Sequence, residues 1–158
     1  IGGGGSNSTG GFGAAVLGGF GNNASATYSV VGAGSSNTAN SQYGAVFGGT
    51  QGTTRSIQGM QAIPACSAPI AASLGVSQAA LLILGVQTTD ATATALRSNT
   101  SAAGTTNQVI LPNNSAYYFR GEIISGVTGG GNTKGFLLKV SLNEVLMPHR
   151  LPLLELQQ

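Results

Sequence analysis

Aliphatic, aromatic and asparagine positions recur at a fixed step through the first fifty residues. Each of three sets shows a step of fifteen residues: Val16, Val31 and Val46; Asn7, Asn22 and Asn37; Tyr28 and Tyr43. Within each unit the order is an aliphatic residue, a Gly-rich turn, Asn, small polar residues and an aromatic residue. Such self-similarity is the signature of a repeat architecture. It predicts units at Ile1–Ala15, Val16–Val30 and Val31–Ala45, with a fading fourth from Val46.

Each unit is predicted to hold two short strands and two tight turns, as in a β-solenoid or β-roll. Glycine supplies the positive φ angles that tight turns need. Asn tolerates the same conformation and can bond its own backbone, so we expect it in the turns. Helix is disfavoured because Gly costs about 1 kcal/mol relative to Ala in a helix interior. A disordered Gly/Ser linker is the rival interpretation, but linkers do not repeat aliphatic and aromatic positions in phase.

The units contain few large apolar side chains, so a single narrow solenoid has little core. Ordering the backbone costs conformational entropy that this core alone does not offset. Stacked hydrogen bonds and contacts with identical neighbours must then supply the remaining stability. We therefore expect self-association, most simply as a parallel homotrimer.

After residue 50 the pattern changes. Residues 51–77 contain Pro64 and Pro69 and are predicted to be a transition segment, since Pro is confined to strand ends, edges and bulges. Residues 78–140 resemble an ordinary antiparallel β-domain, a small sandwich or jelly roll. Its five candidate strands are Ala79–Gln87, Ala91–Arg97, Gln108–Leu111, Ala116–Ser125 and Gly135–Val140.

The last residues, 141–158, form a Leu-rich tail interrupted by Pro148 and Pro152. A short helix over Leu142–Met147 and an extended arm packed on a neighbour both fit this segment. The predicted fold class is therefore all-β: a repeat shaft over residues 1–50, the transition segment over 51–77, the β-module over 78–140 and the tail over 141–158.

Charge is scarce. Charged residues make up 6% of the chain, against roughly 25% in an average soluble domain. The net charge is +2, and no charged side chain precedes Arg55. Nucleic-acid binding needs clustered Lys and Arg, so this class of partner is not expected.

No apolar run reaches the length of a membrane span, and membrane insertion is not expected. The single cysteine, Cys66, excludes an intrachain disulfide and is expected to be a small buried apolar residue.

Catalytic and metal-binding constellations are nearly absent from the sequence. The acids are Asp90, Glu122, Glu144 and Glu155, and the only histidine is His149, between Pro148 and Arg150. General acid–base pairs and metal sites need such groups clustered. We therefore predict no enzyme activity, no catalytic residues, no metal site and no cofactor.

Tyr28 and Tyr43 are the candidate binding residues. As solvent-facing residues one turn apart, they would form an aromatic ladder able to stack on sugar rings. As inward residues, they would belong to the core or to a seam between subunits. The structural interpretation is favoured over the binding one.

The repeat, as in Asn22–Gly32 and Asn37–Gly44, resembles the head repeats of trimeric autotransporter adhesins and similar repeats in phage tail-fibre proteins. Gln87–Thr92 and Asn107–Tyr117 resemble a module found behind such repeats in phage and prophage fibre or virion proteins. The resemblance covers about Ile1 to Lys139 and ends at about Val140. It implies a homotrimeric left-handed β-roll shaft with a β-rich distal or assembly domain, and it brings no catalytic residues.

The first functional hypothesis is a structural component of a phage virion, such as a tail fibre. It would be a homotrimer that presents a distal domain to a host-surface glycan, gaining avidity from three weak sites. A cellular surface adhesin or an extracellular filament subunit is the second hypothesis, and a capsid cement protein is the third. The expected location is the virion or the extracellular surface of a cell.

Overall fold

The computed structural model describes residues 1–90, 92–110, 116–127 and 133–143. Within them the chain is all-β and contains no helix, which confirms the predicted class. The chain divides into two compact units, Ile1–Ile110 and Leu111–Gln158. The strands are β1 (Ser8–Thr9), β2 (Ala15–Val16), β3 (Asn23–Ala24), β4 (Val30–Val31), β5 (Thr38–Ala39), β6 (Ala45–Val46), β7 (Gln61–Pro64), β8 (Gln78–Leu81), β9 (Ala116–Ser125) and β10 (Lys134–Asn143).

Short parallel strands dominate the first unit. One sheet has the order β1-β3-β5 and the other β2-β4-β6-β7-β8. Val16 pairs with Val31, and Val31 pairs with Val46, so neighbouring strands join residues fifteen apart. Isolated parallel bridges at Gly5, Phe20, Ser35 and Thr50 form a further row with the same step. We call each successive stretch of fifteen residues from Ile1 a rung.

The interior between the two sheets is narrow and filled by small side chains. Val16, Val31 and Val46 line it from the five-stranded sheet, and Ala24 and Ala39 line it from the three-stranded sheet. Each of these side chains is at most 1% exposed. Because strand residues alternate between faces, the residues flanking these positions point outward.

Asparagines join one rung to the next inside the stack. The Oδ1 atoms of Asn7, Asn22 and Asn37 accept hydrogen bonds from the backbone N–H groups of Asn22, Asn37 and Gly52, at 3.0, 3.0 and 2.7 Å. Each Nδ2 donates to two backbone carbonyls, one four residues before and one twelve residues after its own residue. We call this row the Asn ladder.

The prediction that these asparagines adopt left-handed turn conformations was wrong. None of the three has a positive φ; the left-handed positions are held by glycine and by seven other residues with φ between 50° and 58°, namely Ser6, Tyr28, Ser36, Tyr43, Gln51, Arg55 and Ser56. The physical reason is that each Asn amide satisfies backbone groups of its own and the following rung. That role needs an inward side chain rather than a turn position.

The stack of rungs ends in residues that were predicted to be a transition segment. Gly52 replaces Asn in the fourth rung, so the Asn ladder stops there. The step then lengthens to sixteen, because Ala45 pairs with Gln61 and Val46 with Ala62. β8 pairs antiparallel to β7 and is the edge strand at this end of the sheet. The side chain of Gln78 makes two hydrogen bonds with the backbone of Thr53, accepting from its N–H at 2.8 Å and donating to its carbonyl at 2.9 Å.

Replacing Gln78 with Ala is expected to destabilise this end of the stack by roughly 2 kcal/mol, since both Thr53 backbone groups lose their partner. Hydrogen exchange at the Thr53 amide, which donates to Gln78, measures the effect directly. Gln87→Ala is the matched control, because Gln87 is exposed and outside any strand. Unchanged protection of Thr53 in Gln78→Ala would contradict the assignment.

The expected five-stranded module is only partly formed in the described residues. β9 matches the predicted strand Ala116–Ser125, and β10 is longer than the predicted Gly135–Val140. The strand predicted at Ala79–Gln87 is shortened to β8, which belongs to the five-stranded sheet of the first unit.

No strand forms in 92–97 or 108–110, so the expectations at Ala91–Arg97 and Gln108–Leu111 were wrong there; the strands' end residues 91 and 111 lie outside the described residues. Local hydrogen bonds compete in the first segment. The Thr92 N–H donates to the Asp90 carboxylate at 2.8 Å, and this bond and one from the Thr92 side chain lower the pKa of Asp90. Only a bridge from Gly85 to Arg97 remains. Before the second segment, buried Asn107 holds a loop through the carbonyls of Ser101 and Ala102.

The described part of the second unit is a β-hairpin. β9 and β10 pair antiparallel, with Glu122 opposite Leu137 and Ile124 opposite Gly135.

Cys66, expected to be buried, is exposed, because the loop that follows β7 lies outside the narrow interior. The predicted tail 141–158 overlaps β10 at its first three residues, so the alternative of a helix over Leu142–Met147 is wrong at residues 142 and 143; residues 144–158, with His149 and the alternative of an arm, lie outside the described residues.

Candidate functional site

The outward face of the five-stranded sheet is apolar and exposed. Register and alternation about the inward Val16, Val31, Val46 and Ala62 define its members. Leu17, Phe47, Ile63 and Leu81 expose 66, 61, 54 and 57% of their surface. We call this surface the apolar sheet face; it consists of Ala15, Leu17, Val30, Gly32, Ala45, Phe47, Gln61, Ile63, Ala79 and Leu81.

The opposite sheet presents a polar surface to its outer side. Alternation about inward Ala24 and Ala39 turns Asn23, Ser25 and Thr38 outward, and Ser8 and Asn40 occupy equivalent positions in other rungs. The hydroxyl of Ser8 donates to Asn23 Oδ1 at 3.1 Å. The stack therefore has one sheet suited to contact with water and one suited to contact with another apolar surface.

Tyr28 and Tyr43 lie on the surface, so the interpretation that they form the core of a single chain is wrong. They are 45 and 56% exposed, because each sits at a left-handed turn position that directs its side chain away from the interior. Their rings stack with centroids 5.4 Å apart and planes inclined by 14°. Phe12 meets Tyr28 edge to face at 5.7 Å. The three rings form an aromatic ladder along one turn of the stack.

The aromatic rings of the ladder cover part of one another's faces. Tyr28 and Tyr43 cover one face of each other, and an added Cβ at Gly13 would lie 2.7 Å from the Tyr28 ring. Stacking on a sugar needs a free aromatic face, whereas here the ring faces between rungs are occupied. This geometry fits stabilisation of the turn, with edge-to-face and offset-stacked pairs each worth about 1 kcal/mol.

Ionisable groups are sparse around these surfaces. In residues 1–110 the charged side chains are Arg55, Asp90 and Arg97, and none is on the apolar sheet face. Within the described ranges, no three His, Cys, Asp or Glu side chains are close enough to share a metal ion. The same ranges contain no helix long and apolar enough to cross a membrane.

The apolar sheet face was not found by sequence reasoning. Leu17 and Phe47 directly follow the inward valines, so alternation alone would have placed them outward. The signal was obscured because Gly32 occupies this position between them. Ile63 and Leu81 could not be added without knowing that β7 and β8 extend the same sheet.

Comparison of the chain with protein-family models, with curated proteins and with solved structures found no match.

Proposed function

We propose that this chain is a structural fibre protein that assembles with copies of itself through the apolar sheet face, as a homotrimeric β-solenoid shaft. The observation that carries the proposal is the contrast between the two outward sheet faces. One consists of Leu, Phe, Ile, Val and Ala with Gly32 and Gln61 and carries no charge, and the other consists of Ser, Thr and Asn. Exposed apolar patches of this kind mark interaction surfaces.

A copy of the same chain is the partner best suited to this face. Heterologous partners are usually selected by complementary charge, and the face offers none. Covering Leu17, Phe47, Ile63 and Leu81 would contribute roughly 5 kcal/mol per chain. Three chains that turn their apolar sheet faces to a common axis leave every polar sheet face in water.

The proposed setting is a phage virion, where the chain would form a tail fibre or similar attachment structure. The resemblance of the rungs to phage tail-fibre and adhesin head repeats supports this setting. In such a fibre the stack would serve as a stiff spacer, because each rung is bonded to the next by backbone and Asn hydrogen bonds. Contact with a host-surface glycan would then be made in threefold copy, with the gain in avidity that this brings.

The mass of the purified full chain in solution tests the proposal. We expect a mass near three times 15.6 kDa that persists on dilution into the micromolar range. A monomer at these concentrations would overturn self-assembly. A distribution of increasingly large assemblies would indicate an open filament and contradict the closed trimer.

A single charge on the apolar sheet face is expected to dissociate the assembly. Phe47→Asp would bury an unpaired carboxylate at the contact, so we expect the mass to fall to that of one chain. Phe20→Asp is the matched control: Phe20 is 63% exposed against 61% for Phe47, but it belongs to the separate row of bridges. Equal loss of mass in both variants, or in neither, would refute the assignment of this face.

A further inference from the structure

The hairpin β9–β10 of the second unit carries an unpaired set of charges on one face. Alternation and register place Arg120, Glu122, Ile124, Gly135 and Leu137 on this side, which we call the charged hairpin face. Arg120 and Glu122 are exposed, and no ion pair or hydrogen bond joins either side chain to the described part of the chain. Register sets Lys139 opposite Arg120.

Arg120 and Glu122 carry opposite charges and stand two residues apart along β9, on the same face of the hairpin. Each chain therefore offers a cationic group and an anionic group side by side, and the arrangement is complementary to a second copy of itself.

The surroundings of the charges are those of a contact surface. Tyr118, Ile124 and Leu137 share the face and expose 66, 80 and 57% of their surface. Gly135 opposite Ile124 leaves a shallow recess, because a Cβ added there would meet nothing within 4 Å. A protruding Ile beside a recess, flanked by opposite charges, gives both shape and charge for a homotypic contact.

We propose that the charged hairpin face is a second self-association surface, in which Glu122 of one copy binds Arg120 of a neighbouring copy. This inference rests on the self-assembly proposed above but concerns a different unit of the chain. The apolar residues would supply most of the contact, and the ion pair would fix which strands face each other. Charge pairs of this kind set register more than they add affinity.

Charge reversal tests the contact on the full chain. Arg120→Glu and Glu122→Arg each place like charges at the interface, and each is expected to raise the concentration of half-association by about tenfold or more. The double variant R120E/E122R restores opposite signs and is expected to return that concentration to within about twofold of the original value. Lys134→Glu is the control, since register places Lys134 on the other face of the hairpin.

The outcomes separate this inference from the proposed function. If the unaltered chain is monomeric, the proposed function fails and this inference fails with it. If the unaltered chain assembles and the single reversals leave half-association unchanged, only the hairpin contact is overturned. Failure of the double variant to recover would also overturn it, because loss without recovery indicates damage to the hairpin rather than a broken pair.

Discussion

Replacing Gly34 with alanine is expected to lower the free energy of unfolding by about 4 kcal/mol. Gly34 has a φ of +96°, where an L-residue is strained. Space is also lacking: an added Cβ would lie 2.1 Å from the Gly49 carbonyl oxygen and 2.9 Å from Asn37 Nδ2. Both neighbours belong to the hydrogen bonds between rungs, so relief by movement would break the Asn ladder. Urea unfolding at a fixed protein concentration measures the change.

Gly18→Ala is the matched control for this substitution. A Cβ at Gly18 would meet nothing within 4 Å, its φ is not positive, and Ala33 already occupies the equivalent position one rung later. We expect a change of at most about 0.5 kcal/mol in the control. Similar stabilities of the two variants would show that rungs are not in the close contact described above.

Replacing Asn37 with alanine is the second large effect that we expect, also about 4 kcal/mol. The side chain of Asn37 is fully buried and makes three hydrogen bonds: from Gly52 N–H, to the Ala33 carbonyl and to the Gly49 carbonyl. Alanine leaves the buried Gly52 N–H without a partner, which costs about 1–3 kcal/mol, and the loss of the two part-buried bonds to carbonyls adds about 1 kcal/mol each. The thermal midpoint and urea unfolding, both at fixed concentration, report the loss.

Asn23→Ala serves as the control, because Asn23 lies in a neighbouring rung but points outward. Its Oδ1 accepts only the Ser8 hydroxyl, at 3.1 Å on the surface. The control should lose less than about 1 kcal/mol. Asn37→Asp adds a second test, since a carboxylate can accept from Gly52 N–H but cannot donate to the two carbonyls. If Asn37→Ala unfolds with the same free energy as the unaltered chain, the Asn ladder does not hold neighbouring rungs together.

The spacing of the first fifty residues predicted more than any other feature of the sequence. The step of fifteen among Val16, Val31 and Val46 is the step at which the strands pair, because a parallel stack repeats the environment of each position. The direction of the Asn side chains was missed, since turn preference and inward hydrogen bonding both favour Asn at a fixed step. The interpretation that Tyr28 and Tyr43 belong to the core was wrong because their turn position needs a positive φ, which is rare for a bulky residue.

The second half of the chain was less predictable. The strand predicted at Ala116–Ser125 is present, whereas the strand predicted at Ala91–Arg97 does not form in residues 92–97, because local Asp90 and Thr92 hydrogen bonds prevail. The candidate contact surfaces depend on residues far apart in sequence. Phe47 and Leu81 lie on the same sheet face because β7 pairs with β6 on one side and with β8 on the other. The periodicity of the sequence does not predict this pairing.

The Asn ladder determines the length of the stack, and it ends at Gly52. As long as Asn recurs every fifteen residues, each rung offers the next an oxygen in register, and nothing in that chemistry limits the count. The number of fifteen-residue segments therefore sets the length of the stack. Duplicating one segment should extend it by about 4.8 Å, the distance between neighbouring strands. A lineage could lengthen or shorten its spacer by in-frame duplication or deletion of whole segments, leaving both ends unchanged.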